Sequence, residues 1–577
     1  MDLYSSGGTT FLTIIDNFTK YAQAIPLTAS TSIHIAEALL SIFSVIGVPK
    51  KITTDSDSKF DNEVITEICM IAPSAPPPKR IKQMRLFGST KTSELNEDER
   101  LEFQRDLIRI IAVDYQPLSM VENRGFNYFI KKYIPRHKLP SRKVLSESVL
   151  SEVYDPLVAD LKNMLEKTKY ISLTTDLWTS DSNRCYITVT AHFINDFNVK
   201  VLALSTEEIK SDHSAVNIAQ SILDILAKWQ ISEKIITVVT DNAANIKKAV
   251  IEHLKKYHHP CVAHTLNLSV QDGIKDNPIL EHLLSKCRSL VTYFKQSNLA
   301  AYKLREIQQQ MGLNELKLKQ DVPTRWNSAV IMLERLLILK LPLSAALSSL
   351  VNAPSNLDGS EWAAVDDCIK IFKLILILTE DLSGEMYPTM SRITPLIRGL
   401  QIRIKDSNAT TEIGKQLKLS LLEVTNRRLG FLETTKIVAK ATFLDPRFKK
   451  AAFGNVENAN NAQRWVTEEL SRIVENENRQ NFDHVQLPTT STAGSTSSTG
   501  TIQDIDLWSH FDEKVSAITS TVTPVTSSIS MIKQYLEMPY FDRKKDPFEF
   551  WKTHNCTFPH LFTLATKYLN IPATSVP

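Results

Sequence analysis

The stretch from Tyr170 to Asp241 constrains the fold more than any other part of the chain. It reads as three strands in succession, Tyr170 to Thr175, Tyr186 to Thr190 and Val199 to Leu204. A helix carrying Ile218, Ile222, Ile225 and Trp229 on one face follows, and then a fourth strand from Lys234 to Thr240. The first strand runs into Asp176 and the fourth into Asp241, 65 residues later. A meander followed by a crossover helix can set the first and fourth strands side by side, with both carboxylates at one edge. Two converging carboxylates suit hard divalent cations, and a pair of such ions ~3.5–4 Å apart assists phosphodiester transfer. An aspartate after a strand is also a common helix N-cap or turn residue.

The rest of the chain divides at composition shifts. Residues 1–71 read as a small α/β unit with strand candidates at Phe11 to Ile15 and Tyr21 to Pro26, and a helix from Ile33 to Val48. The Pro-rich run at 73–80 opens a linker over 72–100, and 101–168 is helical and charged. The α/β core at 169–275 gives way to almost unbroken helical periodicity over 276–480. A Ser/Thr tract over 481–505 cannot build a core, and 506–577 returns to helix. Only 15 of 577 residues are glycine, about 2.6% against a usual ~7%, so helix should predominate. A formal net charge of +3 leaves nucleic-acid contact to local patches. The six cysteines form no CxxC, so neither a disulfide framework nor a zinc finger is expected. No signal-peptide pattern or run of ~20 apolar residues points to secretion or a membrane.

Particular segments resemble known families. Thr174-Thr-Asp-Leu-Trp-Thr-Ser180, Thr240-Asp-Asn-Ala-Ala-Asn245 and Cys261-Val-Ala-His-Thr-Leu-Asn-Leu268 are similar to the core of hAT-superfamily DNA transposases and of BED-zinc-finger proteins derived from them. Gln116 to Phe126, Asp321 to Ser328 and Ala441 to Lys449 support the likeness, which covers about residues 100–577. It implies an RNase H-like mixed sheet interrupted by a large all-α insertion. It also implies that Asp176 and Asp241 are the first two carboxylates of an Asp-Asp-Glu triad holding Mg2+ or Mn2+, and that residues 506–577 form a dimerisation-type region. In that family the glutamate follows a segment like Ile571 to Pro577. The 577 residues stop there, so an incomplete triad is expected. Residues 1–68 resemble a retrotransposon integrase core, which would make Asp2 and Asp55 its first two metal carboxylates, again without their glutamate. The fold class expected is α/β with predominant helix, preceded by a partial integrase-like fragment.

Arg325 and Trp326 resemble a pair that contacts flanking DNA in hAT transposases, and the indole is also a fitting core anchor at a helix start. Lys131, Lys132, Arg136, Lys138, Arg142 and Lys143 put six cations in thirteen residues, which suits phosphate binding or a solvated face. Cys261 and His264 read as a structural pair beside Asp241, since two further metal ligands are not evident. His258 and His259 read as solvated. Five aromatic residues between Phe548 and Phe562 suit a dimer interface or a core. Lys79-Arg80 hints at nuclear import. The expected function is a transposon-derived nuclear protein that binds DNA, dimerises and is catalytically incomplete. Alternatives are an active transposase or integrase, and a fusion of mobile-element fragments without a role.

Overall fold

A computed structural model describes residues 2–6, 9–15, 22–27, 35, 38, 39, 96–210, 212–322, 325–483, 508, 510, 511, 514 and 523–575. The chain forms two compact units. One holds Met1–Glu97 with Ile134–His137, and the other holds Asp98–Tyr133 with Lys138–Pro577.

In the first unit, β1 (Asp2–Ser6), β2 (Thr9–Ile15) and β3 (Ala22–Leu27) make an antiparallel meander in that order. Both expected strands are there, preceded by a third that carries Asp2 opposite Thr13. The expected helix and the strand leading to Asp55 lie mostly or wholly outside the described residues.

The second unit is built on a five-stranded mixed sheet. Its strands are β4 (Ile171–Thr179), β5 (Cys185–Asn195), β6 (Asn198–Glu208), β7 (Ile235–Thr240) and β8 (Tyr257–Pro260), in the order β6-β5-β4-β7-β8. The first three form the antiparallel meander, and β7 and β8 add in parallel. The connection from β6 to β7 runs through a helix at Ala215–Trp229. Ser214 caps its start by accepting from the Asn217 amide, and Gln230 ends it with φ of 58°. This is the RNase H-like α/β architecture expected, with helices filling most of the remaining chain.

Alternation along the strands sends successive side chains to opposite faces, and the two faces belong to different cores. Ile171, Leu173, Ile187, Val189 and Val238 join a cluster with Ile218, Ile222, Ile225 and Trp229 of the crossover helix. Val239 instead joins the large core of the helical insertion. The register places Ser172, Thr174, Thr237 and His192 on Val239's side. Ser172 and Thr174 are buried and bonded, to Asn570 and to His192 Nε2 respectively.

The insertion runs from a helix at Pro278–Gln296 through the long helix Gly359–Leu382 to Val456–Asp483. Asp358 and Glu361 close the start of the long helix with a capping box. The C-terminal helices Pro524–Glu537, Pro547–His554 and Pro559–Leu569 pack on this bundle. Here a structural finding selects between the two aromatic readings. Phe548, Phe550, Trp551 and Phe558 are buried within the chain, with Tyr535 stacked on Trp551 at 5.7 Å, so they form core rather than an exposed interface.

The segment Asp445-Pro-Arg-Phe-Lys449 fastens this region to the bundle. Arg447 grips Asp445 with two nitrogens at 2.9 and 2.7 Å, and both side chains are essentially solvent-free. Ser391 donates to the same carboxylate at 2.7 Å. Buried Lys449 donates to the carbonyls of Tyr535 and Met538 at 2.7 and 2.6 Å. Burial lowers its pKa to about 8.

Removing one member of a buried pair strands the other charge, at a typical cost of ~3–5 kcal/mol. Arg447→Ala should lower unfolding free energy by about that much in urea denaturation, whereas the paired change Asp445→Leu, Arg447→Met should recover most of the loss. Equal stability of wild type and Arg447→Ala would show that the pair anchors nothing.

Candidate functional site

The parallel ladder between β4 and β7 aligns Thr174 with Val239. Two residues further along each chain, at the same offset, stand Asp176 and Asp241. Adjacent strands lie ~4.8 Å apart, so the carboxylates leave neighbouring strands at one level of the sheet edge. Both are partly buried. The Asp176 carboxyl is held above the ordinary carboxylate range, first by burial and then by the negative charge of Asp241. A backbone hydrogen bond and the proximity of His264 pull it partly back. Asp241, just past the end of β7, accepts the amide of Ala243 at 3.2 Å in a tight turn.

The third wall is the helix Val262–Lys275. Cys261 donates its amide to the Thr240 carbonyl at 2.7 Å, so the helix starts immediately beside Asp241. The buried Cys261 Sγ caps that start, accepting from the His264 amide at 3.5 Å and from the Ser575 amide at 3.3 Å. This is the structural role expected of Cys261, and it leaves the His264 ring half-buried near Asp176. His264 and Asn267 are three apart on the helix and share a face. Asn267 Oδ1 accepts from the Trp326 amide at 3.2 Å. Arg325, the residue before Trp326, is exposed.

Trp326 itself is 6% exposed and packs toward Phe372 with centroids 6.4 Å apart. Of the two roles open to it, this position is that of a core anchor, because base stacking requires an accessible ring face. The six basic residues Lys131, Lys132, Arg136, Lys138, Arg142 and Lys143 are all exposed. Arg136 falls in the first compact unit and the others in the second. Asp2 lies on β1, and Asp55 is outside the described residues.

Sequence reasoning missed two features. His258 and His259 are not solvated: they belong to β8, His259 is fully buried, and burial pushes its pKa down to about 3. Trp178, two residues past Asp176 on the same strand face, stacks on Tyr186 at 4.7 Å with a half-open ring. The motif around Asp176 contained that tryptophan, and strand alternation was the signal that could have placed it beside the site.

A paired, half-buried set of carboxylate oxygens whose mutual repulsion is only partly offset has the donor chemistry that suits one hard divalent cation. Among the described residues no group of three or more His, Cys, Asp or Glu side chains is arranged to hold a metal.

Comparison with known proteins follows the same segments. The ZBED1 RNase-like domain matches residues 174–266, the ZBED1 RNase-like helical domain 259–371, and the hAT family C-terminal dimerisation region 531–577. Zinc finger BED domain-containing protein 4 of Homo sapiens is 26% identical over 544 residues, spanning 90% of this chain and 45% of that protein. A putative AC transposase of Zea mays is 28% identical over 381 residues, 61% of this chain and 45% of the relative. Putative transcriptional regulator tpeD of Talaromyces stipitatus is 24% identical over 554 residues, 87% of this chain and 61% of the relative. The chain spans about half the length of the first two relatives.

Because its pKa is raised in the folded state, Asp176 favours folding when protonated, and that contribution is lost as pH rises through the folded value. Asp176→Asn should therefore be as stable as wild type or more stable at neutral pH, and the difference should vanish in acid. Melting temperatures measured across pH check this. A variant clearly less stable at neutral pH would mean that the carboxylate is structural.

Proposed function

Starting from a chain that is hAT-transposase-like in its RNase-like, helical and dimerisation segments, we propose that it is a nuclear DNA-binding protein that self-associates. One observation carries the reading: the RNase-like match over 174–266 coincides with the sheet edge where Asp176 and Asp241 meet. The exposed cations Lys131, Lys132, Lys138, Arg142 and Lys143 supply phosphate contacts, and exposed Arg325 adds another. The match of 531–577 to a dimerisation region supports self-association.

Asp176 and Asp241 would hold one Mg2+ or Mn2+. Such an ion supplies charge stabilisation to a bound phosphodiester and lowers the pKa of a bound hydroxyl. The protein's own part is to present two carboxylates from neighbouring strands, with His264 beside them. A second ion finds no further cluster among the described residues. The 577-residue chain is therefore proposed to bind DNA without cutting it. Metal-dependent strand cleavage and transfer is the competing reading, favoured by the same adjacent carboxylates and by relatives named as transposases.

Two measurements separate these. Duplex affinity should fall as salt rises, with a slope near −0.9 per phosphate contact, and Lys131→Ala, Lys132→Ala should flatten that slope by about two contacts. An unchanged slope removes those residues from the interface. In a strand-nicking assay with Mg2+ or Mn2+, wild type should match the Asp176→Asn, Asp241→Asn control, and cleavage that the control lacks would establish the competing reading. Sedimentation at tens of micromolar should reveal a dimer, and monomer alone would remove the self-association claim.

A further inference from the structure

The helix Arg124–Tyr133 has two unlike faces. Ile130 is buried, and Phe126 packs against the small core of Ile108, Ile111, Val121, Leu145 and Val149. The inward face is thus already supplied. The outward face carries Tyr128, Phe129 and Tyr133, which are 64%, 50% and 62% exposed. Phe129 and Tyr133 lie with centroids 5.1 Å apart, and Lys132 Nζ sits 5.6 Å from the Tyr128 ring and 5.1 Å from that of Tyr133. Three open rings within six residues are uncommon on the surface of a protein without a partner for them.

Charge decides which partner. From Asn123 to Ser146 the chain has seven lysines and arginines and no aspartate or glutamate. A protein interface core depletes charged residues, whereas rings interleaved with cations fit bases and phosphates. Duplex DNA hides its base faces in the stack, so the rings gain little from it. Unpaired bases offer theirs. We propose that Tyr128, Phe129 and Tyr133 form a stacking platform for single-stranded DNA, with Lys131, Lys132 and Arg124 contacting its phosphates. The proposal rests on the DNA-binding reading and narrows it to unpaired strands at this helix.

The test uses the full chain and fluorescence anisotropy with three probes of equal length: oligo(dT), an abasic strand and a duplex. Stacking on an aromatic residue is worth ~1–3 kcal/mol per base, so wild type should prefer oligo(dT) to the abasic strand by ~10-fold or more. The triple variant Tyr128→Ala, Phe129→Ala, Tyr133→Ala should lose that preference and keep its abasic affinity. Lys131→Ala, Lys132→Ala should weaken both strands alike. If the alanine variant does not fold, Tyr128→Leu, Phe129→Leu, Tyr133→Leu keeps the apolar surface and removes the π faces. Equal wild-type affinity for oligo(dT) and the abasic strand overturns the platform, as does a triple variant that keeps the preference or loses both affinities in parallel. Absent duplex binding with the oligo(dT) preference intact would instead count against the broader duplex reading alone.

Discussion

The parallel pairing of β4 with β7 is the contact on which the second unit turns. A parallel neighbour cannot be reached by a hairpin, so the chain must cross over through a helix before it returns. That helix becomes the cover of one sheet face. The register of the pairing then fixes where Asp176 and Asp241 stand. A slip of one residue would send every side chain of β7 to the opposite face. Val238 would leave the crossover-helix core, Val239 would leave the insertion core, and Asp241 would turn away from Asp176. Stability of two cores therefore enforces the geometry of a carboxylate pair that repels itself.

The face toward the insertion is unusual in being rich in hydroxyl and imidazole groups. Ser172 and Thr174 are buried there beside a half-buried His192, whose pKa desolvation lowers to about 4. Buried polar groups without partners are costly, so such a face specifies its cover more tightly than an oily one. The same principle recurs at Asp445, Arg447 and Lys449, where charged groups accept only partners of matching geometry. The bundle and the C-terminal helices are joined by pairs of this kind as well as by apolar area.

Much of this was legible in residue order. Strand alternation at Tyr170 to Thr175 and Tyr186 to Thr190 is a short-range signal, and the apolar stripe of Ile218, Ile222, Ile225 and Trp229 is a helical one. Asp176 and Asp241 were visible because strand ends are visible. β8 was not, since four residues reading Tyr-His-His-Pro lack the branched side chains that mark a strand, and its place is set by parallel pairing with the distant β7. The place of Trp326 depends on Phe372, and that of Trp551 on Tyr535, contacts between distant helices that no local period encodes. The bond from the Trp326 amide to Asn267 Oδ1 likewise joins helices that no local period relates.

The segment Asn570 to Ser575 is stitched into the sheet half of the molecule. Asn570 meets Ser172 across 398 positions of sequence, the Ala573 carbonyl takes the Val262 amide, the Thr389 hydroxyl takes the Ala573 amide, and Ser575 reaches Cys261. At ~5–20 residues per second, synthesis separates Ser172 from Asn570 by on the order of 20–80 s. Throughout that interval Ser172 lacks the Asn570 side chain, and Cys261 Sγ, beside Asp241, lacks the Ser575 amide. A nascent chain thus holds this part of its sheet open, exposed to chaperones or to neighbouring chains, until the segment Asn570 to Ser575 closes the seam.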